Sequence, residues 1–134
     1  MPSEQIAPVP KGKTILVVDD QAQIRNLIRR TLEPLGLMIL EAGNGREALA
    51  VRKGHQGRLD LAIVDFLMPG LTGLDLAAQL AREAPGLKIL YMSSAIESIV
   101  MESLILQSPE LVLPKPFTVE ELARRVMGLL GIGL

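Results

Sequence analysis

The sequence predicts a doubly wound α/β fold, a five-stranded parallel sheet covered by helices on both faces. Two observations predict it. Aliphatic runs such as Ile15-Leu16-Val17-Val18 and Leu61-Ala62-Ile63-Val64 show no polar alternation, which marks strands buried on both sides. Segments with apolar residues at helical spacing separate these runs, and parallel strands need such crossovers. At 134 residues the chain is the size of one domain. Its only aromatics are Phe66, Tyr91 and Phe117, so its core must be aliphatic.

Residues 1–13 carry three prolines and a glycine without periodicity, and read as a flexible leader or linker. The domain is expected over 14–130, with a short tail at 131–134. The first strand covers Thr14 to Val18 and ends on Asp19-Asp20. A helix is expected from Gln21 to Leu35, with Ile24, Leu27, Ile28, Leu32 and Leu35 on its apolar stripe and Gly36 as its stop. The second strand is Leu37 to Leu40. Asn44 then caps a helix reaching about Lys53. The third strand, Leu61 to Val64, ends on Asp65. Thr72-Gly73 opens a helix closed by Pro85-Gly86, and Lys88 to Met92 forms a fourth strand ending on Ser93-Ser94. A helix from about Ser98 to Gln107 and a short strand at Leu111 to Leu113 follow. Thr118 caps the last helix, with Glu121 completing a capping box.

Composition narrows the function. Formal net charge is −1, so no overall field favours nucleic acid or an anionic membrane surface, and direct contact with either is not expected. Arg29-Arg30 and Arg124-Arg125 read as solvated helix faces, and His55 as part of an exposed polar loop. There is no cysteine, which excludes disulfides, thiolate metal sites and Cys nucleophiles. No apolar run approaches the length of a membrane span, and a cytoplasmic location is expected. Phosphate-loop and dinucleotide fingerprints are both missing. The segment from Ile99 to Leu106 is apolar on more than one side; it reads as a core-facing helix, the alternative being a docking face for a partner.

In open α/β sheets, sites form beyond the carboxyl ends of the strands, near the topological switch point. Asp19, Asp20, Asp65, Ser93 and Lys115 all follow expected strands, so they converge on one edge. Any one of them alone would pass as a cap, a turn residue or a surface charge. Three carboxylates brought together repel one another, and a hard divalent cation is the usual remedy. Mg2+ suits such an oxygen-only set, with no His or Cys beside it to favour zinc. One carboxylate could then act as a nucleophile toward phosphorus, with Lys115 offsetting phosphoryl charge and the Ser93 hydroxyl donating to a phosphoryl oxygen.

The motifs I-L-V-V-D-D, D-F-L-M-P-G-L-T-G, Y-M-S-S-A and P-K-P-F, in this order from about Lys13 to Leu130, resemble the receiver domains of two-component response regulators and hybrid histidine kinases. The resemblance implies a flavodoxin-like (βα)5 fold with strand order 2-1-3-4-5. It implies that Asp65 is the phosphoacceptor, that Asp20 contacts Mg2+ directly, and that Asp19 acts through water. The Leu67 backbone carbonyl would be a further metal ligand, Ser93 the switch hydroxyl and Lys115 the phosphate-pairing lysine. A cis Lys115-Pro116 bond is also implied. The phosphodonor would be a phosphohistidine on a histidine kinase or phosphotransfer protein, and the output a fused domain, another partner or a receiver homodimer. The chain would be a stand-alone regulator or a receiver from a longer one.

Three positions depart from the common pattern. Val112 stands where many receivers carry an aromatic three residues before the lysine, so a smaller rotamer change is expected there on phosphorylation. Leu67 and Ala95, each two residues after a site residue, cannot orient water, which predicts slow self-dephosphorylation. Leu67 also counts against a haloacid-dehalogenase-type phosphatase, which needs an acid-base Asp at that position. A phosphorylation-independent interaction module on the same fold is the other rival; retention of Asp19, Asp20, Asp65 and Lys115 weighs against it.

Overall fold

The structure, a computed structural model, describes residues 13–94 and 99–132, with the side chains of 99–101 outside the description. The expected leader up to residue 12, Ala95, the helix start at Ser98 and the last two tail residues lie outside the described residues.

Strand periodicity divides the interior into two layers. Along β1 (Thr14–Val18) every residue is buried, yet Ile15 and Val17 enter one core while Leu16 and Val18 enter the other. The remaining strands are β2 (Met38–Ala42), β3 (Leu61–Asp65), β4 (Lys88–Ser93) and β5 (Val112–Pro114). They pair in parallel in the order β2-β1-β3-β4-β5, as expected. The order reverses between β1 and β3, which places the switch point beside Asp19 and Asp65.

The helices are α1 (Ala22–Leu32), α2 (Gly45–Gly54), α3 (Gly73–Glu83), α4 (Ile99–Gln107) and α5 (Val119–Leu130). Helices α1 and α5 cover one face through Ile28, Leu32, Leu122, Val126 and Met127. Helices α2 and α3 cover the other through Ala48, Leu76 and Leu80. On α4, Leu104 and Ile105 pack toward Phe66, Ala77, Tyr91 and Val112, while Leu106 stands exposed. The expected caps all form: Asn44, Thr72 and Thr118 each accept a backbone N–H three residues on, and Thr118 with Glu121 makes the capping box.

Several expectations need correction. The first helix ends at Leu32, and Glu33–Leu35 tightens into a 3-10 turn closed by Gly36 at φ 92°. Pro34 has no N–H to continue the α pattern, and glycine takes the left-handed stop without strain. Strand β2 starts at Met38 and runs on to Ala42, carrying Glu41 within hydrogen-bond reach of Arg25 and Arg29 on α1. Leu111 belongs to a 3-10 turn (Pro109–Leu111), so β5 begins at Val112. The basic pairs are not merely solvated. Arg29 also donates to the Ile39 carbonyl at 3.0 Å, and Arg125 donates to the carbonyls of Val112 and Pro109. Nor is His55 an open loop residue; it terminates α2, half-buried, with Nε2 shielded and lacking a hydrogen-bond partner among the described residues.

At the amino edge, buried Asp60 accepts the Thr14 N–H at 2.8 Å and donates its own N–H to the Thr14 carbonyl at 2.9 Å. At the carboxyl edge, Gly73 seats α3 directly on the end of β3. A Cβ there would lie 2.5 Å from the Asp65 carbonyl oxygen and 2.9 Å from Phe66 Cα. Gly73→Ala is therefore expected to lower unfolding free energy by about 1–3 kcal/mol, as overpacking does, measured by urea denaturation.

Candidate functional site

The carboxyl ends of four strands bring the expected groups together. Asp19 follows β1 and is wholly buried; its Oδ1 accepts the Gln21 N–H at 2.8 Å and its Oδ2 accepts from Lys115 Nζ at 2.8 Å. Asp20, next in the chain, is exposed. Asp65 is the last residue of β3 and only 9% exposed, with its Oδ2 3.6 Å from Lys115 Nζ. One carboxylate oxygen from each of Asp19, Asp20 and Asp65 lies within 4.8 Å of the others. Register pairs Asp65 with Met92, so the buried Ser93 stands one residue further along the neighbouring strand. The Ser93 carbonyl accepts the Lys115 N–H at 2.7 Å, which ties the hydroxyl-bearing strand to the lysine-bearing loop. The Lys115-Pro116 bond is cis, as expected.

Electrostatics set the character of the centre. Burial pushes the Asp65 carboxyl up to about 6. Lys115 pulls it down, Asp19 pushes it up, the Leu67 backbone N–H pulls it down by hydrogen bonding, and Asp20 pushes it up. The Lys115 ammonium beside these carboxylates is bonded to Asp19, nearer than to Asp65. An oxygen-only cluster with uncompensated negative charge, open to solvent on the Asp20 side, fits a hard divalent cation.

Sequence reading passed over Arg25. Its Nη1 donates to the Asp19 backbone carbonyl at 2.6 Å, and its Nε donates to Glu41 at 3.1 Å. The available signal was Glu41 itself, a charge inside an otherwise apolar run that calls for a cationic partner. Leu67 projects its side chain outward at 55% exposure. Val112 is buried at 3% and packs with Phe66, Ala77 and Tyr91, whose rings Phe66 and Tyr91 meet edge to face at 6.2 Å.

A 2-1-3-4-5 sheet with an acidic cluster and a lysine at its switch point defines a class, the open α/β modules with their site at the carboxyl edge of the sheet. More narrowly, residues 15–127 match the response regulator receiver domain, and the chain belongs to that family, the receivers of two-component systems. It is similar to the transcriptional regulatory protein ResD of Bacillus subtilis, 37% identical over 116 residues that cover 87% of this chain and 47% of that protein. It is also similar to the sensor kinase CckA of Brucella abortus, at 29% identity over 95% of this chain and 13% of that one. Among solved structures, the Thermotoga maritima response regulator TrrA, in complex with Mg(2+)-BeF, superposes with a TM-score of 0.72 at 32% identity, covering 87% of this chain and 98% of the other. The chain thus spans about half the length of ResD and of similar regulators, and far less of CckA. Among the described residues no helix is long and apolar enough to cross a membrane.

The raised Asp65 value carries a sign. The group ionises near 3.8 when unfolded and at about 6 here, so folding takes up a proton between those values. Its contribution to the metal-free chain is most favourable below pH 3.8 and is lost as pH rises through about 6. Asp65→Asn is expected to stabilise the metal-free chain at pH 7.5 by about 1–3 kcal/mol and to have little effect near pH 4. Urea denaturation at both pH values checks this.

Proposed function

We propose that this receiver takes a phosphoryl group from a phosphohistidine onto Asp65 in a Mg2+-dependent reaction and so switches an output. The observation that carries the reading is the set of groups around buried Asp65: two further carboxylates and the Lys115 ammonium. An Asp65 oxygen attacks phosphorus, the P–N bond to the donor imidazole breaks, and that nitrogen keeps the electron pair. The product is an aspartyl phosphate on Asp65 and a dephosphorylated histidine. Lys115 offsets phosphoryl charge by moving its ammonium from Asp19 toward the new oxygens, and Ser93 donates its hydroxyl to one of them.

Asp20, Asp65 and the Leu67 carbonyl would hold Mg2+, with Asp19 acting through water; when bound, the ion neutralises charge on the phosphoryl group. Asp19 suits the indirect role because its own oxygens are engaged by Gln21 and Lys115. The protein is then a signalling switch that catalyses its own phosphorylation and slow dephosphorylation. Its donor is a histidine kinase or phosphotransfer protein, in the cytoplasm. Its output passes to a partner, a second receiver or a fused domain. Regulators such as ResD extend well beyond the matched region, so nucleic-acid contact is assigned to an output domain rather than to the receiver surface.

With Mg2+ and phosphoramidate, intact-mass measurement is expected to show one added phosphoryl group, absent from Asp65→Asn and reduced in Lys115→Ala. An unmodified wild-type chain would instead favour a phosphorylation-independent interaction module. After donor removal, the adduct is expected to persist for many minutes, because Leu67 offers no group to orient water. Loss within seconds would contradict that assignment.

A further inference from the structure

We propose that Arg25 is a positioning residue for the acidic pair, holding the Asp19–Asp20 peptide so that the Asp20 carboxylate is presented to Asp65. The proposal rests on the metal-dependent reading above and deepens it. Asp19 is fixed through its own carboxylate, by the Gln21 N–H and Lys115 Nζ. Asp20 is not held that way. It is exposed, and among the described residues no side chain hydrogen-bonds to its carboxylate. Its place is therefore set by the backbone that carries it.

Arg25 grips that backbone. Nη1 donates to the Asp19 carbonyl at 2.6 Å, the oxygen of the peptide plane that leads into Asp20. On its other side the guanidinium is anchored by Nε to Glu41 Oε1 at 3.1 Å. Glu41 is itself placed by the backbone, because the β1–β2 register pairs it with the buried Val17. The Asp19 N–H also donates to the Ala42 carbonyl, at 3.2 Å, so the acidic turn is held from β2 as well. A planar fork reaching two acceptors sets both distance and angle, which a lysine ammonium on a flexible stem does not reproduce.

Residues that orient metal ligands without touching the ion commonly change affinity by ten-fold or more. Arg25→Ala is thus expected to weaken Mg2+ binding about ten-fold in calorimetric titration of the full chain, with Arg25→Lys intermediate. Arg29→Ala is the matched control. It removes the other partner of Glu41 and is expected to lower Tm, yet it leaves the Arg25–Asp19 bond in place and Mg2+ affinity unchanged. A second readout needs no metal: amide hydrogen exchange at Gln21, whose N–H is bonded to Asp19 Oδ1, should quicken in Arg25→Ala and Arg25→Lys, but not in Arg29→Ala. If the Arg25 and Arg29 variants lose Tm alike, with neither affinity nor exchange separating them, the role is only structural and the proposal is overturned. A wild-type chain that binds no Mg2+ would overturn the metal reading, and the exchange contrast would still decide whether Arg25 sets the Asp20 backbone.

Discussion

Three carboxylates gathered at one edge of a parallel sheet, with the Lys115 ammonium among them, form the constraint on which the rest of this structure turns. Burial lifts the Asp65 carboxyl to about 6, and the neighbouring charges of Asp19 and Asp20 add to the rise. The arrangement survives because each member is held by a different device. Asp19 is clamped by hydrogen bonds, Asp65 is the last residue of a central strand, and Lys115 arrives from β5 on a loop tied to β4. Strand order then does the gathering. The reversal between β1 and β3 opens the edge where these groups meet.

Much of this was legible in one dimension because its causes are local. Unbroken aliphatic runs mark β1 and β3, and each is followed at once by its acid. Asn44, Thr72 and Thr118 cap helices through contacts only three residues long, so a short window of sequence contains both partners. The five candidate side chains reached one edge for the same reason: parallel strands share a direction, and position along each strand sets which edge a residue joins.

What escaped depends on partners distant in sequence. Arg25 and Glu41 are separated by 16 positions, and Thr14 and Asp60 by 46. No periodicity encodes such pairings, so Arg29 and Arg125 looked like ordinary solvated charges until the neighbouring strand and turn were in place. Gly73 is similar. Its necessity comes from the Asp65 carbonyl and Phe66 backbone crowding the start of α3, a packing fact with no signature in the chain. The breaks at Glu33–Leu35 and Pro109–Leu111 moved element boundaries by a few residues without changing the order of elements.

The aromatic pair between β4 and the end of β3 has a consequence of another kind. This chain has no tryptophan and one tyrosine, so Tyr91 alone accounts for its ultraviolet emission above the phenylalanine background. That ring, two positions before Ser93 on β4, rests edge to face on Phe66, the residue after Asp65, and packs against Val112 on the neighbouring β5. The molecule thus carries a built-in optical probe at the heart of its own switch. Its emission intensity and anisotropy report on rearrangement around Asp65 and Ser93 with no label attached and no second chromophore to confuse the signal.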